Sequence, residues 1–84
     1  MAKVLITPGA QTQLDAVPRG IHHRILNLIG RLADWPKVSG AKPLRKNLAG
    51  SFRLRSGDWR LIFHPQGDSV IIDAIDNRKD VYKD

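Results

Sequence analysis

The chain has no cysteine and no glutamate, a single tyrosine, a single methionine and no long apolar run. Without cysteine there is no disulfide framework, no thiol redox chemistry and no zinc site built on thiolates. Without an apolar stretch near the ~18 residues of a membrane span, no transmembrane helix is expected. The opening Met1-Ala2-Lys3 is followed by too few apolar residues for a secretory signal. All acidic residues are aspartates, eight of them against 14 lysines and arginines, so the 84 residues carry a formal charge of +6. A chain of this length makes one domain, residues 1–84, and buries somewhat over ~60% of its unfolded surface. What remains is a soluble, basic, cytoplasmic domain whose charge favours a polyanion or an acidic protein as partner.

The charge is concentrated. Between Lys42 and Arg60 stand Lys42, Arg45, Lys46, Arg53, Arg55 and Arg60 against the one acid Asp58. After Arg60 the balance reverses, with Asp68, Asp73, Asp76, Asp80 and Asp84 outnumbering Arg78, Lys79 and Lys83. A cationic stretch is often no more than a solvated surface, so the secondary structure that carries it matters.

Lys3 to Thr7 is short and rich in β-formers, which predicts a first strand. Thr7-Pro8 supplies a helix cap and a first helical residue, and that helix is expected to run to about Val17, where Pro18 ends it and opens the next. Ile21, Ile25, Leu28, Ile29 and Leu32 form the apolar stripe of a second, amphipathic helix, closed by Trp35-Pro36. Lys37 to Lys46, with Ser39-Gly40 and Pro43, reads as a loop carrying a basic patch, anchored by Leu44 and Leu48. Phe52-Arg53-Leu54-Arg55 then alternates as a strand does. Ser56-Gly57-Asp58 turns the chain, and Trp59 to His64 is a second alternating run, with Trp59, Leu61 and Phe63 facing the core and Arg60, Ile62 and His64 facing out. Pro65-Gln66-Gly67-Asp68 turns again, Ser69 to Ile75 is a further β run, and the polar tail from Asn77 forms at most a short helical turn.

The order is β-α-α-β-β-β. This is an α+β fold, a small and largely antiparallel sheet with a helical hairpin packed on one face. The other face then carries Arg53, Arg55 and Arg60, crowded across adjacent hairpin strands. Guanidinium groups so placed repel one another unless an anion sits between them, and they bind phosphate bidentately without losing charge. His64 shares that face and is a candidate acid or base. Tyr82 either covers the core edge or stacks on a base. Lys42, Arg45 and Lys46, which extend the basic segment, form either a solvated loop or contacts to RNA phosphates. His22 and His23 fall on the second helix as solvent or partner contacts. Asp73 and Asp76 read as sheet-end acids placed to pair with Arg78. No pair of His and carboxylate has metal-ligand spacing.

The strand and helical hairpin, the stretch Leu48-Ala49-Gly50-Ser51-Phe52-Arg53-Leu54-Arg55-Ser56-Gly57-Asp58-Trp59-Arg60-Leu61-Ile62-Phe63 and the ending Ile75-Asp76-Asn77-Arg78-Lys79-Asp80-Val81-Tyr82 together resemble the RelE/ParE superfamily, the toxins of bacterial type II toxin–antitoxin systems. The likeness is strongest to the RelE-type mRNA interferases. It implies a ribosome-dependent endoribonuclease that cuts mRNA by attack of a ribose 2′-OH on the adjacent phosphodiester, without metal or other cofactor. By position, Arg60 matches the family's arginine on the scissile phosphate. Arg53 and Arg55 match its alternating basic pair, and Arg78 and Tyr82 its closing basic residue and tyrosine. Two departures stand out: both members of the basic pair are Arg where Lys is common, and Asn77 stands where other members carry His. The same scaffold serves ParE-like inhibitors of DNA gyrase and inactive homologues that only bind an antitoxin. The implied partners are a cognate antitoxin with an acidic amphipathic segment, the ribosome and its mRNA, and operator DNA reached only through the antitoxin complex.

Overall fold

The first strand, β1 (Lys3–Ile6), gives way at once to helix α1 (Pro8–Asp15). Thr7 Oγ1 accepts from the backbone N–H of Ala10 at 3.1 Å, and Pro8 occupies a position whose N–H has no intrahelical partner. Pro18 caps α2 (Arg19–Arg31), which tightens into a 3₁₀ turn over Leu32–Asp34. A computed structural model describes residues 1–77 of the chain; the expected tail turn, Arg78 and Tyr82 lie outside the described residues. The remaining elements are β2 (Lys42–Pro43), β3 (Phe52–Ser56), β4 (Trp59–Gln66) and β5 (Ser69–Asn77).

The five strands form one sheet in the order β1-β5-β4-β3-β2, with β1 parallel to β5 and the other neighbours antiparallel. Both helices cover one face. Ala10, Leu14 and Val17 from the first helix and its following turn, and Ile25, Leu28 and Leu32 from the second stripe, are buried against Leu54, Leu61, Phe63, Val70, Ile72 and Ile75. Trp35, just past the 3₁₀ turn, packs edge-on against Phe52 and Phe63 with ring centroids 4.8 and 5.2 Å away. Those two phenylalanines are themselves directly opposite across β3 and β4, so one aromatic trio ties the end of the helical layer to the middle of the sheet. α1 makes a polar tie as well: Gln13 Oε1 accepts from the Ile75 N–H at 2.8 Å, beyond the last residue of β1 that pairs with β5.

Three expectations are corrected. The basic loop is not all loop, because Lys42 and Pro43 pair with Arg53 and Phe52 as a two-residue edge strand. That pairing turns Ala41 toward the core, and Val38 and Ala41 anchor the segment; Leu48 is 52% exposed and anchors nothing. Second, β4 does not stop before Pro65 but continues through Gln66. Gln66 opposite Ser69 closes the hairpin, so the next pair, Pro65 opposite Val70, is one whose N–H groups point away from each other, toward a side where β3 has already ended. Proline loses no ladder bond there. Third, α1 ends at Asp15 rather than near Val17.

Both hairpins turn on two residues, Gly57-Asp58 and Gly67-Asp68, with φ of +61° and +60° at the glycines. Positive φ at the first central position matches the right-handed twist of the flanking strands and favours glycine. A Cβ added at either glycine would meet nothing within 4 Å, so the cost of substitution is purely conformational. Gly57→Ala and Gly67→Ala are each expected to lower stability by about 1–2 kcal/mol. Urea denaturation should read this as a lower midpoint with an unchanged slope.

Candidate nucleic-acid interface

The face of the sheet away from the helices is set by register. Arg55 lies directly opposite Arg60, and Arg60 directly opposite Asp76, so one row across the sheet reads Arg55, Arg60, Asp76. The next row reads Lys42, Arg53, Ile62, Ala74. His64, two residues beyond Ile62 on β4, extends the same face. The alternation of β3 and β4 thus brings Arg53, Arg55 and Arg60 together as expected, and β2 adds Lys42 to them. Arg45 and Lys46 are exposed in the excursion between β2 and β3 and are not part of the ladder.

Two aspartates reach this face through an irregularity in β5. Phe63 pairs with Ile72 and Ile62 with Ala74, so Asp73 is an extra residue bulged out of the ladder. Strict alternation would have forced an aspartate into the core, Asp73 with Ile71 and Ile75 or Asp76 with Val70 and Ile72. The break of phase places Val70, Ile72 and Ile75 inside and both carboxylates outside. That conflict is legible in Ser69-Val70-Ile71-Ile72-Asp73-Ala74-Ile75-Asp76, and it is the signal that would have located the two acids.

Each carboxylate has a partner among the described residues. Arg60 Nε donates to Asp76 Oδ1 at 2.9 Å, and the two side chains are only 12% and 22% exposed. The repulsion between Arg55 and Arg60 is therefore relieved in part by the protein's own anion. Arg60 is a half-shielded, ion-paired group rather than an open clamp. Asp73 Oδ2 lies 2.6 Å from His64 Nδ1, with both side chains about one-third exposed. Arg78, the partner expected for both acids, lies outside the described residues; strand pairing puts Arg60 and His64 next to them.

Arg53 is the opposite case. Its Nε is buried and has no hydrogen-bond partner among the described residues. A buried charged donor left unsatisfied costs about 1–3 kcal/mol or more. An acceptor brought by a ligand removes that cost. With Arg55 exposed beside it and Lys42 across the edge pairing, the face presents four cations against two carboxylates, and bidentate acceptors such as phosphate suit it. Among the described residues, no group of three or more His, Cys, Asp or Glu could hold a metal ion. No helix among them is long and apolar enough to cross a membrane.

Comparison with known proteins places this architecture. The chain is 34% identical to toxin RelG of Mycobacterium tuberculosis over 83 residues, 95% of this chain and 94% of that protein. The chain belongs to the RelE toxin family. It also superposes on a chain of the toxin–antitoxin complex RelBE2 from Mycobacterium tuberculosis with a TM-score of 0.79 and 31% identity, covering 92% of this chain and 91% of that one. The isolated RelE toxin of E. coli shares the fold at a TM-score of 0.77 with 7% identity, over 92% of this chain and 84% of that one. No protein-family model matches the sequence. The β-α-α-β-β-β order, with its helical hairpin on one side of the sheet, is that of RelE-type toxins.

The ion pair makes a stability prediction that separates two arginines of one row. Arg60→Ala leaves the half-buried Asp76 carboxylate without its donor and is expected to cost about 1–3 kcal/mol. Arg55→Ala, at an exposed position with no ion pair among the described residues, should stay within about 0.5 kcal/mol. Thermal or urea unfolding of the two variants checks this.

Proposed function

We propose that this RelE-family toxin is a ribosome-dependent endoribonuclease whose outer sheet face grips the backbone of mRNA. The observation that carries the reading is the row structure of that face, in which Lys42, Arg53, Arg55 and Arg60 converge and the buried Nε of Arg53 lacks an acceptor among the described residues. Attack of a ribose 2′-oxygen on the adjacent phosphorus builds up negative charge on the non-bridging oxygens. Guanidinium groups fixed on a rigid sheet stabilise that charge without reorganising. Arg53 and Arg55 take this role directly. Arg60 contributes from its pair with Asp76. Arg78 and Tyr82 complete the site by family likeness, Arg78 as a further cation and Tyr82 as a stacking or orienting group for the base. Arg45 and Lys46, exposed beyond the edge strand, are assigned to ribosomal RNA phosphates.

The partner is a cognate antitoxin. The solved complexes in which RelE-type chains sit with RelB antitoxins support this. An acidic amphipathic segment would suit the cationic face, neutralising the arginines and blocking RNA by charge and bulk. Operator DNA is reached through that complex. The site of action is the cytoplasm, where translating ribosomes are found.

Brief induction in cells followed by mapping of mRNA 5′ ends tests the activity. Cuts in translated messages at codon-defined positions are the expected outcome. Intact messages with double-strand DNA breaks would point to gyrase instead, and neither lesion to an inactive antitoxin binder. Arg53→Ala should lower cutting on the order of 100-fold, as removal of one preorganised oxyanion donor does. Binding to single-stranded RNA should weaken with salt at a log–log slope of about −3 when four cations engage phosphates.

A further inference from the structure

Arginines and one lysine can hold a phosphate, but an arginine keeps its proton at any physiological pH and cannot accept one from a hydroxyl. The resemblance left this part of the chemistry empty, since Asn77 stands where relatives carry histidine. Among the described residues the face contains one group suited to it. His64 Nδ1 is 2.6 Å from Asp73 Oδ2. An ionised carboxylate only accepts, so the neutral imidazole paired with it carries its hydrogen on Nδ1 and its lone pair on Nε2, at the far side of the ring. This is the tautomer a general base needs, and it is enforced by a residue that reaches the face only because β5 is bulged at Asp73.

Position supports the role. Arg53 is opposite Ile62, and His64 is two residues further along β4 on the same face. The two are separated by roughly 7 Å along the strand direction and one strand spacing of ~5 Å across it. A phosphodiester held by Arg53 therefore has its ribose within reach of His64. Arg60 is four residues from His64, roughly 13 Å along the same strand, and is already engaged with Asp76.

We propose that His64 and Asp73 are the proton-transfer pair of this toxin, acting on a phosphodiester held by Arg53 and Arg55. The proposal rests on the endoribonuclease reading above. In the step, His64 Nε2 takes the proton of the 2′-hydroxyl as its oxygen bonds to phosphorus. The bond from phosphorus to the 5′-oxygen breaks, and that oxygen takes a proton from water. The hydroxide left behind is neutralised by the proton held on His64. The products are a 2′,3′-cyclic phosphate and a 5′-hydroxyl. Asp73 touches no substrate atom; it is a positioning residue that holds the ring and stabilises the imidazolium.

Single-turnover cutting of a ribosome-bound message by the full chain tests this, with wild type, His64→Ala, Asp73→Asn and the double variant compared at matched folded fraction. Cutting by the wild type establishes the reading on which the pair depends. His64→Ala is then expected to lose ~100-fold or more at unchanged cut sites, the usual worth of a general base, and to regain rate when imidazole is added. His64→Gln serves as a second variant should the alanine form fold poorly. Asp73→Asn is expected to lose ~10-fold or more by presenting the wrong tautomer. It should cost nothing further in the His64→Ala background, where there is no ring left to position. Equal cutting by wild type and His64→Ala overturns the pair and leaves the endoribonuclease reading standing. Losses that imidazole does not restore, or that add in full in the double variant, overturn the pair too. A wild type that cuts no message on the ribosome overturns the reading and the pair together.

Discussion

The outer face depends on the break of phase in β5 between Ile72 and Ile75. A strand whose neighbours bury Val70, Ile72 and Ile75 cannot alternate strictly without burying an aspartate as well. An isolated buried carboxylate is far more costly than one unpaired ladder position. The bulge at Asp73 resolves the conflict, and its consequence is electrostatic. Two anions are delivered to a surface that β2, β3 and β4 have loaded with cations, one beside Arg60 and one beside His64.

The face is divided as a result. At one end Arg60 is satisfied within the protein, shielded and paired with Asp76. At the other, Arg53 keeps a buried donor with no acceptor among the described residues, while His64 is held by Asp73. Neutralising every cation internally would leave nothing to attract an anion, and neutralising none would set Arg55 against Arg60 without relief. The helices contribute only indirectly. They fill the inner face, and the Trp35, Phe52 and Phe63 trio stiffens the strands that carry the cations, so the charged groups sit on a platform rather than on loops. The same fold occurs in E. coli RelE at 7% identity.

Much of the fold was legible because local chemistry and burial agreed. The stripe from Ile21 to Leu32, the Thr7-Pro8 cap and the two glycine turns each belong to one element and need no distant partner to explain them. The misses share a cause. Lys42–Pro43 is too short to show a period and becomes a strand only because β3 has a free edge. Pro65 looked like a turn residue because its ladder position, on the side where β3 has ended, is not visible from the chain. Leu48 is apolar but exposed, and the pairing of Lys42–Pro43 gives the anchoring role to Val38 and Ala41.

From composition and pattern alone came a basic single domain, two helices and four strands, two of them alternating, with Arg53, Arg55, Arg60 and His64 on the side away from the core. These follow from periods of 3.6 and 2, which are properties of consecutive residues. Which cation meets which anion was decided only when strands distant in sequence came into register. Arg60 is 16 residues from Asp76, and His64 is nine from Asp73 across a hairpin and a bulge. A one-residue shift in that register would turn these carboxylates away from Arg60 and His64, because neighbouring residues of a strand point to opposite sides of the sheet.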